Sequence, residues 1–204
     1  ASNSFSEYSP SKYLPNAETE KMSVFDRFIP ALEAMQSKNK DITGWIYIPG
    51  THIDYPLVHC DDNEFYLDHS ADLTKSAAGA VFVDKNGFAE NTVIYGHNMG
   101  RESNVIFHDI TEFSDKALFD SIRCGYIITN DKVIRIDFFA YALTRPGTNF
   151  YLNRPDLNYI KANSMHLRST YTGGETITLS TCAYDYDNAR AVLVGESKTI
   201  LIRE

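Results

Sequence analysis

From Asp41 onward the chain is a succession of short runs rich in Val, Ile, Thr, Tyr and Phe, separated by turn residues. Such residues suit a pleated, half-buried surface. The runs are GWIYIPGTHIDYPLV (44–58), GAVFVD (79–84), NTVIY (91–95), CGYIIT (124–129), KVIRIDFFAYAL (132–143), TITLSTC (176–182), RAVLVG (190–195) and KTILIRE (198–204). Pro49-Gly50 breaks the first run with a turn, and Asn130-Asp131 joins two runs as a tight hairpin. Many short strands with turns between them predict a mainly β fold, a barrel or a sandwich.

Two segments break this rhythm. Near the start, Val24, Phe28, Leu32 and Met35 recur at helical spacing behind Ser23, a suitable N-cap. Pro30 lacks an N–H and falls inside that pattern, so two short helices are expected, the second starting near Pro30. Residues 144–175 form a long insertion in which PDLNYIKANSMHLRS reads as a helix capped by Asp156. Insertions of this length in small domains are often functional. The expected organisation is an arm and helices over residues 1–40, packed on a barrel over 41–204, as one structural domain.

Charge and composition narrow the functions. The net charge of −8 leaves no basic surplus to neutralise phosphates, so nucleic acid is not an expected partner. No apolar run approaches the roughly 18 residues a spanning helix needs. The start, ASNSFSEYSPSKYLPNAETE, is polar, lacks Met and reads as a soluble piece cut from a longer protein. Of the three cysteines, Cys60, Cys124 and Cys182, at least one must be free; a Cys60–Cys124 disulfide stays open.

Alternation along 176–182 puts Thr176, Thr178, Ser180 and Cys182 on one face and Ile177, Leu179 and Thr181 on the other. A thiol at the end of a polar strand face suits the wall of a cleft, although a passive half-buried thiol fits equally. Arg190 opens the next run, and a hairpin would return it beside Cys182. There a guanidinium can stabilise a thiolate or an oxyanion. The bland alternative is an ion pair with Asp185 or Asp187 on a solvated turn. A cysteine nucleophile also needs a proton carrier. His97 is favoured among six histidines because it follows a strand ending at Tyr95-Gly96 and enters a Gly-bordered loop. HCDD (59–62) and DYDNAR (185–190) offer metal-ligating atoms, but neither completes a site, so no metal and no cofactor are expected.

Taken together, TLSTC, an Arg eight positions on, and YGHNM about 85 residues upstream resemble the sortases. GWIYIPGTHIDYPLV, DDNEFYLDHS, GAVFVD and NTVIYGHNM are similar in order and spacing to class B, and the resemblance covers roughly residues 20–204. His59, where a glutamine is common, and RESNVIF, in place of a Met-Phe stretch, depart from the pattern. The resemblance implies an eight-stranded β-barrel with N-terminal helices and a helix-bearing insertion before the cysteine strand. It implies a transpeptidase on the outer face of a Gram-positive membrane, held by an N-terminal anchor absent from this chain. Its substrates would be an LPxTG/NPxTN-like sorting signal and a peptidoglycan precursor amine. Cys182 would be the nucleophile, His97 the acid and base, and Arg190 the oxyanion partner. Asn63, Leu67, Tyr95, Tyr151, Leu152, Ser180 and Thr181 would contact the signal. Two rivals remain: a thiol peptidase releasing its product to water, and a non-catalytic peptide-binding module.

Overall fold

The computed structural model describes residues 5–10, 21–100 and 105–203, with side chains of the first helix from Phe28 onward. The strands are β1 (Ile42–Tyr47), β2 (Asp54–Val58), β3 (Val81–Val83), β4 (Asn91–Tyr95), β5 (Cys124–Ile128), β6 (Lys132–Thr144), β7 (His166–Leu167), β8 (Thr176–Cys182) and β9 (Arg190–Ile202). They pair in the order β5-β1-β2-β3-β4-β8-β9-β6, and β5 pairs again with β6, closing an eight-stranded barrel; β7 adds to β6. Closure pairs each of these eight strands on both sides, and the stretch of β6 beyond β5 takes β7. Inward-facing Ile46, Leu57, Val83, Ile94, Ile136, Leu179 and Leu193 form its core.

A second apolar layer seats helix α1 (Lys21–Lys38) on the barrel: Phe28, Ile29, Leu32 and Met35 pack with Trp45, Val58 and Val133. Ser23 is not the N-cap, because α1 already begins at Lys21; the side chains of Ser23 and Val24 lie outside the described residues. The expected break at Pro30 does not occur, and α1 is one helix with the proline inside it. Pro30 lies on the exposed face between buried Ile29 and Leu32. The carbonyl it leaves unpaired can turn to water, as solvent-side carbonyls of curved helices do, while the buried face holds both halves in line.

Two further boundaries differ from expectation. The last two runs are one strand, β9, because β6 offers a continuous partner and the pair takes up the mismatch with a bulge at Ile200 of β9 and another at Phe139 of β6. Gly195 permits the close passage, since a Cβ there would meet Ile136 Cγ2 at 2.4 Å. In the insertion, α4 (Leu157–Asn163) is capped by Asp156, whose side chain accepts from the Tyr159 N–H, but it stops short of the whole predicted span. Ser164 is extended, Met165 donates to the Tyr141 carbonyl, and His166–Leu167 pair with β6. Ladder bonds to an available β6 edge replace the last helical turn. Phe150 and Ile160 pack the insertion onto Phe139, Val192 and Val194. Two short helices, α2 (His108–Glu112) and α3 (Lys116–Ser121), precede β5.

Candidate active site

Sheet register brings three distant segments together. β4 and β8 run parallel with Tyr95 beside Ser180, so both strands end at the same rim. His97 and Cys182 lie two residues beyond that matched pair. β9 returns antiparallel with Arg190 opposite Cys182. Ile177 and Leu179 face the barrel core, while Thr176, Thr178 and Ser180 face outward beneath the insertion. The polar strand face is therefore buried by hydrogen bonding and not by an apolar core. The three cysteines are free, and Cys182 is half-buried.

His97, Cys182 and Arg190 line one groove of about 570 Å3, a volume that suits a peptide segment or small ligand. Asn63, Leu67, Tyr95, Tyr151, Ser180 and Thr181 line it too. Leu152 does not: it lines an outer depression with Arg154 and Leu157 and is exposed. Its neighbour Tyr151 turns inward because its hydroxyl bonds Ser180 Oγ at 2.9 Å and its ring stacks on Tyr95 at 6.3 Å. Thr181 is buried and donates to the Gly96 carbonyl, clamping the nucleophile strand to the histidine segment.

Each of the three groups has an identifiable support. His97 Nε2 lies 2.7 Å from the Leu67 carbonyl oxygen. A carbonyl only accepts, so Nε2 carries hydrogen and Nδ1 is left to exchange a proton. The Cys182 carbonyl accepts from Asn98 Nδ2 at 2.9 Å, and the next amide, Ala183 N–H, donates to Ala189 at 3.0 Å. Arg190 donates from its guanidinium to the Ala189 carbonyl at 3.0 Å. No carboxylate pairs with Arg190 among the described residues, so the solvated ion pair with Asp185 or Asp187 is not formed. Burial pushes the Tyr151 hydroxyl above the usual tyrosine range, although the Ser180 hydrogen bond and the Arg190 charge act against that shift.

Sequence reading missed three supporting residues. Asp84, which ends the GAVFVD run, accepts from Asn63 Nδ2 at 2.8 Å and from the Tyr95 hydroxyl at 3.1 Å. Burial, with the Asp84 charge added, raises the Tyr95 pKa far above the usual range, so the phenol stays neutral. Asn91 ties the insertion to β8, accepting from Thr176 and Thr178 and donating to the Phe150 and Leu152 carbonyls. Asn98 stands inside the quoted YGHNM motif, yet its partners lie too far along the chain to be read from it.

No protein-family model matches the chain. It is 32% identical over 186 residues to sortase B of Listeria monocytogenes, covering 82% of this chain and 74% of the relative. A cysteine-to-serine mutant of Clostridium perfringens sortase B superposes with TM-score 0.82 at 25% identity, covering 95% of each chain. A Staphylococcus aureus sortase B–substrate complex has the same fold, with TM-score 0.76 at 21% identity over 94% of this chain and 93% of the other. Similarity to the Listeria protein at this identity and coverage carries a family assignment: the chain belongs to sortase class B, a family of cysteine transpeptidases.

Proposed function

We propose that the protein cleaves an LPxTG/NPxTN-like sorting signal after its Thr and transfers the new carboxyl end to a peptidoglycan amine. The convergence of Cys182, His97 and Arg190 on one open groove carries this reading. The Cys182 thiolate attacks the Thr carbonyl carbon, and the negative charge passes to the carbonyl oxygen. Arg190 donates hydrogen bonds to that oxyanion. The C–N bond then breaks, and His97 gives a proton to the leaving amine through Nδ1. The product is a thioester on Cys182. An incoming amine attacks it, His97 takes the amine proton, and the thiolate leaves. The thioester keeps the acyl group activated, so transfer needs no further energy source.

Asn63, Leu67, Tyr95, Tyr151, Ser180 and Thr181 are proposed as the peptide-contacting wall, on the ground that they line the groove. The Staphylococcus aureus relative is described with a bound substrate, in keeping with a peptide site in this fold. Residence on the outer face of a Gram-positive membrane, held by an N-terminal anchor, belongs to the same proposal. Among the described residues no helix is long and apolar enough to cross a membrane.

Product analysis with and without an amine acceptor tests the assignment. An oligoglycine amine should divert nearly all acyl product from free acid to the ligated peptide. A product yield and identity indifferent to the amine would instead establish a peptidase.

A further inference from the structure

Asn98 is buried, and both ends of its amide are in use. Nδ2 donates to the Cys182 carbonyl at 2.9 Å, and Oδ1 accepts from the Gly100 N–H at 3.0 Å. These two bonds fix which end of the amide is oxygen, since flipping it would set oxygen against a carbonyl and NH2 against an N–H. The remaining partner of Oδ1 is His108 Nδ1 at 2.8 Å. An amide oxygen only accepts, so His108 Nδ1 is the donor. His108 is 6% exposed, and its other nitrogen lies 3.5 Å from the Glu112 carboxylate.

The helix carrying His108 has anchors outside the groove. Phe107 and Ile110 are in the barrel core, and the Asp109 carboxylate accepts from the His52 backbone N–H at 2.6 Å. Phe107 N–H also donates to the His97 carbonyl, so the returning arm of the loop is stitched to the segment beginning at His97. His108 thus links a fixed helix to the amide that holds the nucleophile's backbone. It does not itself line the groove.

We propose that His108 is a positioning residue for acyl transfer: through Asn98 it sets the backbone of Cys182 relative to His97. This inference rests on the transpeptidase reading for its kinetic consequence, but not for its structural one. A nucleophile displaced by an ångström can lose about a hundredfold in rate. A brace one residue removed from the nucleophile should therefore carry about tenfold, in kcat and not in KM.

The test uses His108→Leu, which removes the donor, and His108→Asn, whose amide nitrogen takes the place of Nδ1. Leu is expected to lower the acylation rate of Cys182 about tenfold with the peptide KM within about twofold of wild type. Asn should restore most of the rate. Amide hydrogen exchange at Ala183 and Gly100, followed by NMR without peptide, should quicken in the Leu variant and return towards wild type in the Asn variant. If Leu does not fold, His108→Phe takes its place, because it keeps the ring's bulk and loses the donor to Asn98; the same loss of kcat is expected. Wild-type rates and exchange in the Leu variant would overturn the proposal. So would a loss that Asn fails to restore, which is the mark of a merely structural core histidine. If none of the sorting peptides acylates the wild-type protein, the transpeptidase reading fails, and the exchange comparison alone decides the brace.

Discussion

Replacing Asn91 with Ala is expected to loosen the wall of the groove and destabilise the whole domain. Its side chain is 2% exposed. It accepts from Thr176 and Thr178 at 2.9 Å each and donates to the Phe150 and Leu152 carbonyls at 3.0 and 2.8 Å. Net contributions near 1 kcal/mol per hydrogen bond give about 4 kcal/mol for the four. Water entering the space vacated by the amide recovers part of this, leaving a loss of about 3 kcal/mol. For a domain of this size each 1 kcal/mol moves Tm by about 2–4 °C, so a fall of about 6–12 °C is expected. Thr178→Val removes only one of the four bonds and should cost about 1 kcal/mol. Phe150 and Leu152 flank Tyr151, so the Ala variant should also bind peptide several-fold more weakly, with a smaller effect on kcat. Thermal unfolding of both variants beside peptide titrations checks this. A Tm within about 2 °C of wild type for Asn91→Ala, or equal to that of Thr178→Val, would refute the idea that Asn91 pins the insertion.

Gly79 has φ +60°, and a Cβ there would meet the Tyr66 and Leu67 carbonyl oxygens at 2.4 and 2.9 Å and His97 Cδ2 at 3.1 Å. Gly79→Ala should therefore cost about 1–3 kcal/mol and displace the carbonyl that holds His97. Acylation rates should fall about tenfold, which stopped-flow kinetics will show. Pro30→Ala should stabilise α1, since an added N–H outweighs the entropy gained by the unfolded chain; a net gain of about 1–2 kcal/mol in urea unfolding is expected. Glu196 is buried, which raises its pKa, but hydrogen bonds from Thr172 and Gly174 and the nearby Lys198 ammonium outweigh burial and hold it below the usual carboxylate range. A depressed carboxylate contributes stability above its unfolded pKa, about 4.3, and loses it as pH falls through the lower folded value. Glu196→Gln should thus be less stable at pH 7 and converge with wild type in acid, as urea unfolding at a series of pH values will show.

The strands were legible because the sheet period of two writes itself directly into residue type. In 176–182 the alternation of Ile177 and Leu179 with Thr176, Thr178 and Ser180 already separates the two faces. Where the sequence misled, a partner distant along the chain decided the outcome. Pro30 is tolerated because the buried side of α1 is seated on the barrel, and a free stretch of β6 edge converted the end of a predicted helix into β7. The groove was legible in its three central residues because motif spacing reflects strand register. Its braces were not: Asn98 reaches across to Cys182, His108 reaches back to Asn98, and Asn91 spans from β4 to the insertion. Nothing local in the sequence marks those amides as partnered. Leu152 was placed in the groove with Tyr151, but consecutive residues after a tight turn point apart, and only Tyr151 turns inward.

Mass spectrometry of the protein incubated with a panel of sorting-signal peptides tests the central claim most directly. The account predicts an acyl adduct ending in Thr on Cys182, absent from Cys182→Ala and sharply reduced in Arg190→Ala and His97→Ala. An adduct on Cys60 instead, or acylation of Cys182 that neither His97 nor Arg190 affects, would contradict a shared site built from these three residues.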